Sequence, residues 1–451
     1  MFADATLRDF SARLRGHLLR PFDEDYHDAR KVWNAMIDRR PALIVRCANS
    51  ADVQQAVHFA RESNLGAAVR GGGHNVAGNA VCDGGLVIDL SPMKGMQVDP
   101  VRRTADAQGG LTLGEFDQQT QSFGLATTLG QISMTGIAGL TLGGGVGWLM
   151  GKYGLACDNL LSVEIVTADG ELLTASATEN ADLFWGVRGG GGNFGAVTSF
   201  RFGLYPVGQV LGGRVIHPLS KAKEALRFHR EFTRHCPDEL TVYAGILNGP
   251  DGQPVVALSI CYCGPLEQGE KFVEPLRKYG PPVSDLIGAK SYIELQSGSD
   301  ALFPPRHRNY WKGSFVPTMS DQVIDRICEY AETKPSPKTL IVVEPLHGAA
   351  ARVPAAQTAF PHREEQYSVL IMSIWEDVAR SEENIVWTRR FWEALQPFAA
   401  GGVYVNYLGQ EGDDRVRAAY GENYGRLVAL KNKYDPTNVF RFNQNIVPSK
   451  T

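Results

Sequence analysis

Short apolar runs punctuated by glycine, with helical stretches between them, set the pattern of this chain. Residues 43–45 (Leu-Ile-Val) predict a strand, followed by a helix with Ser50 as N-cap and Val53, Ala56, Val57 and Ala60 at helical spacing. Residues 67–69 and 84–90 predict two further strands around a glycine turn, and 104–107 another. Thr112 with Glu115 predicts a capping box for a helix running to Gly124. A strand over 160–167 turns at Asp169-Gly170 into 171–174. Tyr205-Pro206-Val207-Gly208 reads as a linker into a second region, where strands at 255–260, 340–343 and 367–374 alternate with helices near 221–235 and 321–333. Residues 401–407 predict a last strand, with Tyr404 and Asn406 on one face and Val405 and Tyr407 on the other. Residues 1–40 read as helix and loop without assigned chemistry. The expected class is α+β, the second region being a sheet with helices on one face.

Composition narrows the functional classes. The 451 residues carry 45 basic against 49 acidic side chains, a net charge of −4 that lacks the basic field of a nucleic-acid binder. The amino terminus has no apolar core of signal-peptide length and no stretch is long and apolar enough to span a bilayer, so a cytoplasmic protein without membrane contact is expected. Seven widely spread cysteines do not resemble a disulfide framework. Cys261 and Cys263, one residue apart in an apolar run, are expected as buried thiols on one side of a strand.

Candidate chemistry gathers at glycine-rich turns. Arg70-Gly71-Gly72-Gly73-His74-Asn75 follows a strand and ends in an imidazole, which can be a satisfied turn histidine, a nucleophile or a metal ligand. Gly130, Ser133 and Gly136 could offer N–H and hydroxyl groups to a pyrophosphate, although the same loop could simply be tightly packed. Gly190 to Gly195 matches the letters of a dinucleotide fingerprint but lies between a helix and a strand, the reverse of the Rossmann order. Residues 147–152 fall short of a P-loop, since Val146 and Tyr153 occupy the positions of its first glycine and its Ser or Thr.

Five motifs in order resemble the berberine bridge enzyme-like branch of the vanillyl alcohol oxidase flavoproteins: Arg70 to Asn75, Gly85 to Leu90, Gly143 to Gly147, Lys152 to Asn159, and Tyr434 to Phe440. The resemblance implies a PCMH-type FAD-binding domain, formed by residues 1–206 and 407–451, and a substrate domain of 207–406 with an antiparallel sheet covered by helices. It implies FAD bound bicovalently through His74 and Cys157. It also implies cofactor contacts from Arg70, Gly71, Gly72, Gly73, Asn75, Gly130, Ser133, Gly136, Gly139, Gly143, Gly144, Asn159, Val197 and Asn406. Tyr407 is the implied base that removes a substrate proton as hydride leaves. Many relatives carry an acid two residues after that tyrosine, where this chain has Gly409.

The implied reaction is oxidation of a C–OH or C–N group of a bulky small molecule such as a glycoside, polyketide or alkaloid, with electrons passing to oxygen or another acceptor. Leu160, three residues after Cys157, is the implied gate for oxygen and argues for a dehydrogenase; family frequency argues for an oxidase, the class expected here. Two readings stand beside these. One is a non-catalytic flavin-binding module. The other is a metal-dependent hydrolase using His74, His307 and His362, opposed by the arginines flanking His307 and His362 and by the lack of metal-ligand spacing, so no metal is expected.

Overall fold

The computed structural model describes residues 2–449. Near the amino terminus, strands Leu43–Arg46 and Ala67–Arg70 flank Leu86–Asp89 in parallel, joined by the helix Ser50–Glu62. This helix is capped by Asn49, not Ser50: Asn49 is extended and its side chain accepts the Asp52 N–H. The Asp52 carboxylate in turn accepts the N–H groups of Arg15, Gly16 and Ala48, tying the entry segment to the helix start.

A second, five-stranded antiparallel sheet runs in the order Met96–Asp99, Thr104–Gln108, Gly195–Gly203, Leu160–Thr167, Leu172–Ser176. The hairpin closing it turns at Gly170, whose φ of +85° suits glycine. The capping box forms as expected between Thr112 and Glu115. The Tyr205 to Gly208 segment is more than a linker, because Tyr205–Pro206 pairs with Leu125–Ala126.

Residues 210–375 build an eight-stranded antiparallel sheet whose alternation decides what it faces. On Leu240–Asn248, Val242, Ala244 and Ile246 join a core with the helices Ala222–Thr233, Asp321–Glu332 and Ser381–Leu395. Tyr243, Gly245 and Leu247 point the other way, into a cavity. Leu340–Leu346 repeats this, with Ile341 and Val343 in the core and Leu340, Val342 and Glu344 on the cavity side. Cys261 is buried, and both Cys261 and Cys263 join the apolar cluster on the cavity side of this sheet, Cys263 lying just beyond the strand end at Tyr262.

The carboxyl terminus closes the other wall. From the helix Tyr424–Tyr434, the fully buried Lys431 ammonium reaches Asp435 at 2.6 Å and the carbonyls of Asn193 and Phe440. Asp435 also accepts the N–H groups of Val439 and Phe440, so the Tyr434 to Phe440 motif is a turn wound around a buried ion pair. It delivers Phe440, Phe442, Asn443 and Gln444 to the cavity.

The expected strand over 401–407 does not form. Val405–Tyr407 is a 3-10 turn, because side chains bind this segment to a loop where a strand would need a backbone partner. The Tyr404 hydroxyl accepts the Gly145 N–H at 2.8 Å and the Asn406 amide at 2.7 Å, and Asn406 Nδ2 also donates to the Leu140 carbonyl. The turn brings the Tyr404 and Tyr407 rings edge to face at 4.8 Å, which strand alternation would have kept apart.

Candidate active site

Two glycine loops meet backbone to backbone. A Cβ on Gly72 would collide with Gly136 N, and one on Gly136 with Gly72 N. Gly73 adopts φ +66° and its carbonyl accepts the Trp33 N–H. This contact sets a cavity of about 340 Å³, whose near wall includes Gly71, Gly72, Gly73, His74, Asn75, Gly130, Gly136, Gly139 and Val197. Asn406 and Tyr407 enter it from the 3-10 turn, and the far wall is one face of the large sheet.

His74 stacks on Trp33, with ring centroids 4.1 Å apart and planes 18° from parallel. Burial lowers its pKa to about 4, so the imidazole is neutral at neutral pH. Its Nε2 is buried and has no hydrogen-bond partner among the described residues. Trp33 belongs to the entry segment to which the sequence assigned no chemistry; its Nε1 donates to the Phe303 carbonyl at 3.2 Å, linking the turn to the far wall.

Several expected contact residues do not line the cavity, each for an identifiable reason. Arg70 is clamped to the fully buried Asp89, opposite it in the parallel pairing, and to the Ala29 carbonyl. Ser133 gives both its N–H and its hydroxyl to Asp300. Gly143 and Gly144 receive the carboxyl-terminal turn: a Cβ at Gly143 would strike the Asn406 amide, and one at Gly144 would crowd Phe360. Asn159 turns its amide back to the carbonyls of Tyr153 and Leu155.

The second tether and the oxygen gate fall outside the wall as well. Cys157, on the 3-10 turn Ala156–Asn159, is completely buried, and its N–H bonds the Gly144 carbonyl. Burial and then the neighbouring Asp158 charge push its thiol pKa up, with Arg363 opposing only in part. A thiol held protonated is a poor nucleophile. Leu160 is 4% exposed inside the core and does not line the cavity.

A carboxylate from a different strand meets Tyr407. The Tyr407 hydroxyl lies 3.0 Å from each oxygen of Glu344, and Gln131 Nε2 donates to the same carboxylate at 2.8 Å. Burial raises the Glu344 pKa, while hydrogen bonds from Gln131, Tyr407 and Ser368 partly offset this. Tyr407 is pushed well above its ordinary value by burial and then by the Glu344 charge. The phenol and the carboxylate therefore form one coupled hydrogen-bonded pair. The sequence held one sign of this group, an acid directly after the apolar run 340–343.

The cavity suits a flat, phosphate-bearing group. Gly139 and Gly192 lie on its wall with open space where a Cβ would stand, so a large ligand can reach the backbone there. The unpartnered His74 imidazole lies on the same wall. Among the described residues, no helix is long and apolar enough to cross a membrane.

Comparison with known proteins agrees with this geometry. The family model described as FAD binding domain matches residues 41–176, and that described as Berberine and berberine like matches 403–447. The chain is 33% identical to an FAD-linked oxidoreductase of Dictyostelium discoideum, over 99% of this chain and 98% of that one. It superposes on 6-hydroxy-D-nicotine oxidase from Arthrobacter nicotinovorans with a TM-score of 0.89 and 30% identity, covering 96% of this chain and 98% of the other. A berberine bridge enzyme-like protein of Physcomitrella patens gives a TM-score of 0.90 at 25% identity, over 99% of both chains.

Proposed function

This chain belongs to the berberine bridge enzyme-like, PCMH-type FAD-linked oxidoreductases, and from that premise we propose that it is an oxidase of a bulky small molecule whose FAD is tethered through His74. When bound, FAD supplies the acceptor for two electrons and passes them to oxygen. In this reading residues 1–206 and 407–451 hold the cofactor and 207–406 supply the wall against which substrate rests.

The observation that carries the proposal is the Tyr407–Glu344 pair standing in the same cavity as the unpartnered His74. Oxidation at a C–OH or C–N carbon releases a proton from the heteroatom, and this pair is built to take it. The Tyr407 oxygen accepts the substrate proton while its own proton moves to Glu344, so that no free phenolate is needed. Gln131 and Ser368 hold the carboxylate for that transfer.

His74, neutral and short of one hydrogen-bond partner, carries the covalent attachment. Gly71 to Gly73, Gly136 and Gly139 bring backbone against the cofactor, and Asn406 closes the ring site. That 6-hydroxy-D-nicotine oxidase is among the similar structures supports an alcohol or amine carbon as the target and oxygen as the acceptor.

The test is anaerobic mixing of purified protein with a panel of secondary alcohols, sugars and cyclic amines, followed by admission of air. Bleaching of the flavin by one class, and peroxide formation on reoxidation, is expected. A flavin that no member reduces, or that stays reduced for minutes in air, contradicts the oxidase reading.

A further inference from the structure

The far wall is ordered into rows by strand register. Arg214 pairs with Ser259, Ser259 with Tyr243, and Glu344 continues the row one residue beyond the pairing of Ala244 with Val343. The neighbouring row is apolar and low: Ala257, Gly245, Val342 and Leu370 lie side by side across four strands. Small side chains at Ala257 and Gly245 leave a trough along the sheet, with the Tyr407–Glu344 pair towards one end and Arg214 at the other. At about 4.8 Å between strands, the backbones of Arg214 and Glu344 stand roughly 14 Å apart.

Arg214 is a cation on the cavity wall without a counterion. No carboxylate among the described residues lies within 4.0 Å of it; its only polar contacts are the Gly298 carbonyl at 3.5 Å and the Ser299 hydroxyl at 3.4 Å, both long. The acids that could have paired with it are engaged elsewhere, Asp300 by Ser133 and Glu344 by Tyr407 and Gln131. Burial disfavours its charge, yet a guanidinium does not give up its proton in a protein. A half-buried guanidinium with spare donors, next to the Ser259 hydroxyl and at the end of an apolar trough, has the donor set for a carboxylate.

We propose that Arg214 anchors a carboxylate of the substrate, so that the molecule oxidised is elongated and largely apolar, with its acid group at the end remote from the carbon that reacts. This deepens the oxidase reading and rests on it for the position of the reacting carbon; the carboxylate site itself does not depend on flavin.

The experiment titrates the purified holoenzyme with phenylpropanoate, phenylpentanoate and phenylheptanoate and with the methyl ester of each. Binding is read both by perturbation of the flavin absorbance and by tryptophan fluorescence from Trp148 and Trp311, which line the cavity. At least one acid is expected to bind roughly tenfold or more tightly than its ester, the Arg214→Gln variant to abolish that preference, and Arg214→Lys to restore part of it. Equal binding of acids and esters, or no binding of either, overturns the proposal. So does an Arg214→Gln variant that weakens acid and ester alike, because the guanidinium would then act on something other than the substrate anion. A colourless protein that still shows the acid preference by fluorescence would instead fault the flavin reading and leave the carboxylate site standing.

Discussion

The hydroxyl of Tyr407 stands 3.0 Å from both carboxylate oxygens of Glu344, although the two residues are 63 positions apart in the chain and arrive on a 3-10 turn and a central strand. The proposed reaction assigns proton removal to the pair. Glu344→Gln should therefore slow anaerobic reduction of the flavin by about 100-fold or more without loss of the cofactor, as measured by stopped-flow absorbance.

The pair also fixes a pH dependence. Glu344 must be ionised to receive the Tyr407 proton, and burial raises its pKa. The reduction rate should rise with pH through a limb lying above the ordinary carboxylate range, and that limb should be missing from Glu344→Gln. A limb that persists in the variant would assign the titration to another group.

Gly72 and Gly136 touch through their backbones, and neither side can yield by moving a side chain. Gly72→Ala should cost about 1–3 kcal/mol of stability and loosen the cofactor loops. Thermal unfolding and the flavin content of the purified variant check this. A variant as stable and as yellow as the parent would show that the loops are not in contact.

Asp117 is fully buried with both carboxyl oxygens unpartnered among the described residues, and burial raises its pKa to about 8. An aspartate in the unfolded chain ionises near ~3.9, so the native state holds its proton where the unfolded state has lost it, and stability falls as pH rises across that window. Asp117→Asn should match the parent at about pH 4 and gain on the order of a few kcal/mol by about pH 7 in urea unfolding. A gain independent of pH would mean that the carboxyl is already ionised in the native protein.

What could be read from the sequence was what depends on neighbours in the chain. The Thr112–Glu115 capping box, the Asp169-Gly170 hairpin and the helix-before-strand order around Gly190 to Gly195 are all local, and all are present. The glycines at 71–73 and 136 signalled a close backbone approach, but not that the two loops approach each other. Some motif residues do not line the cavity because partners far off in the chain engage them: Asp89 takes Arg70, Asp300 takes Ser133, and Tyr404 with Asn406 takes the Gly143 to Gly145 loop. The missing acid was sought two residues from Tyr407 because sequence measures distance along the chain. The strand Leu340–Leu346 brings the Glu344 carboxylate to Tyr407 through side-chain contact.

A covalent bond from His74 to the flavin is tested by the intact mass of the denatured protein, parent beside His74→Ala. One FAD increment is expected on the parent. An FAD increment retained by His74→Ala would assign a bond to Cys157 or another side chain, and an unmodified parent expressed with ample flavin would contradict the covalent link altogether.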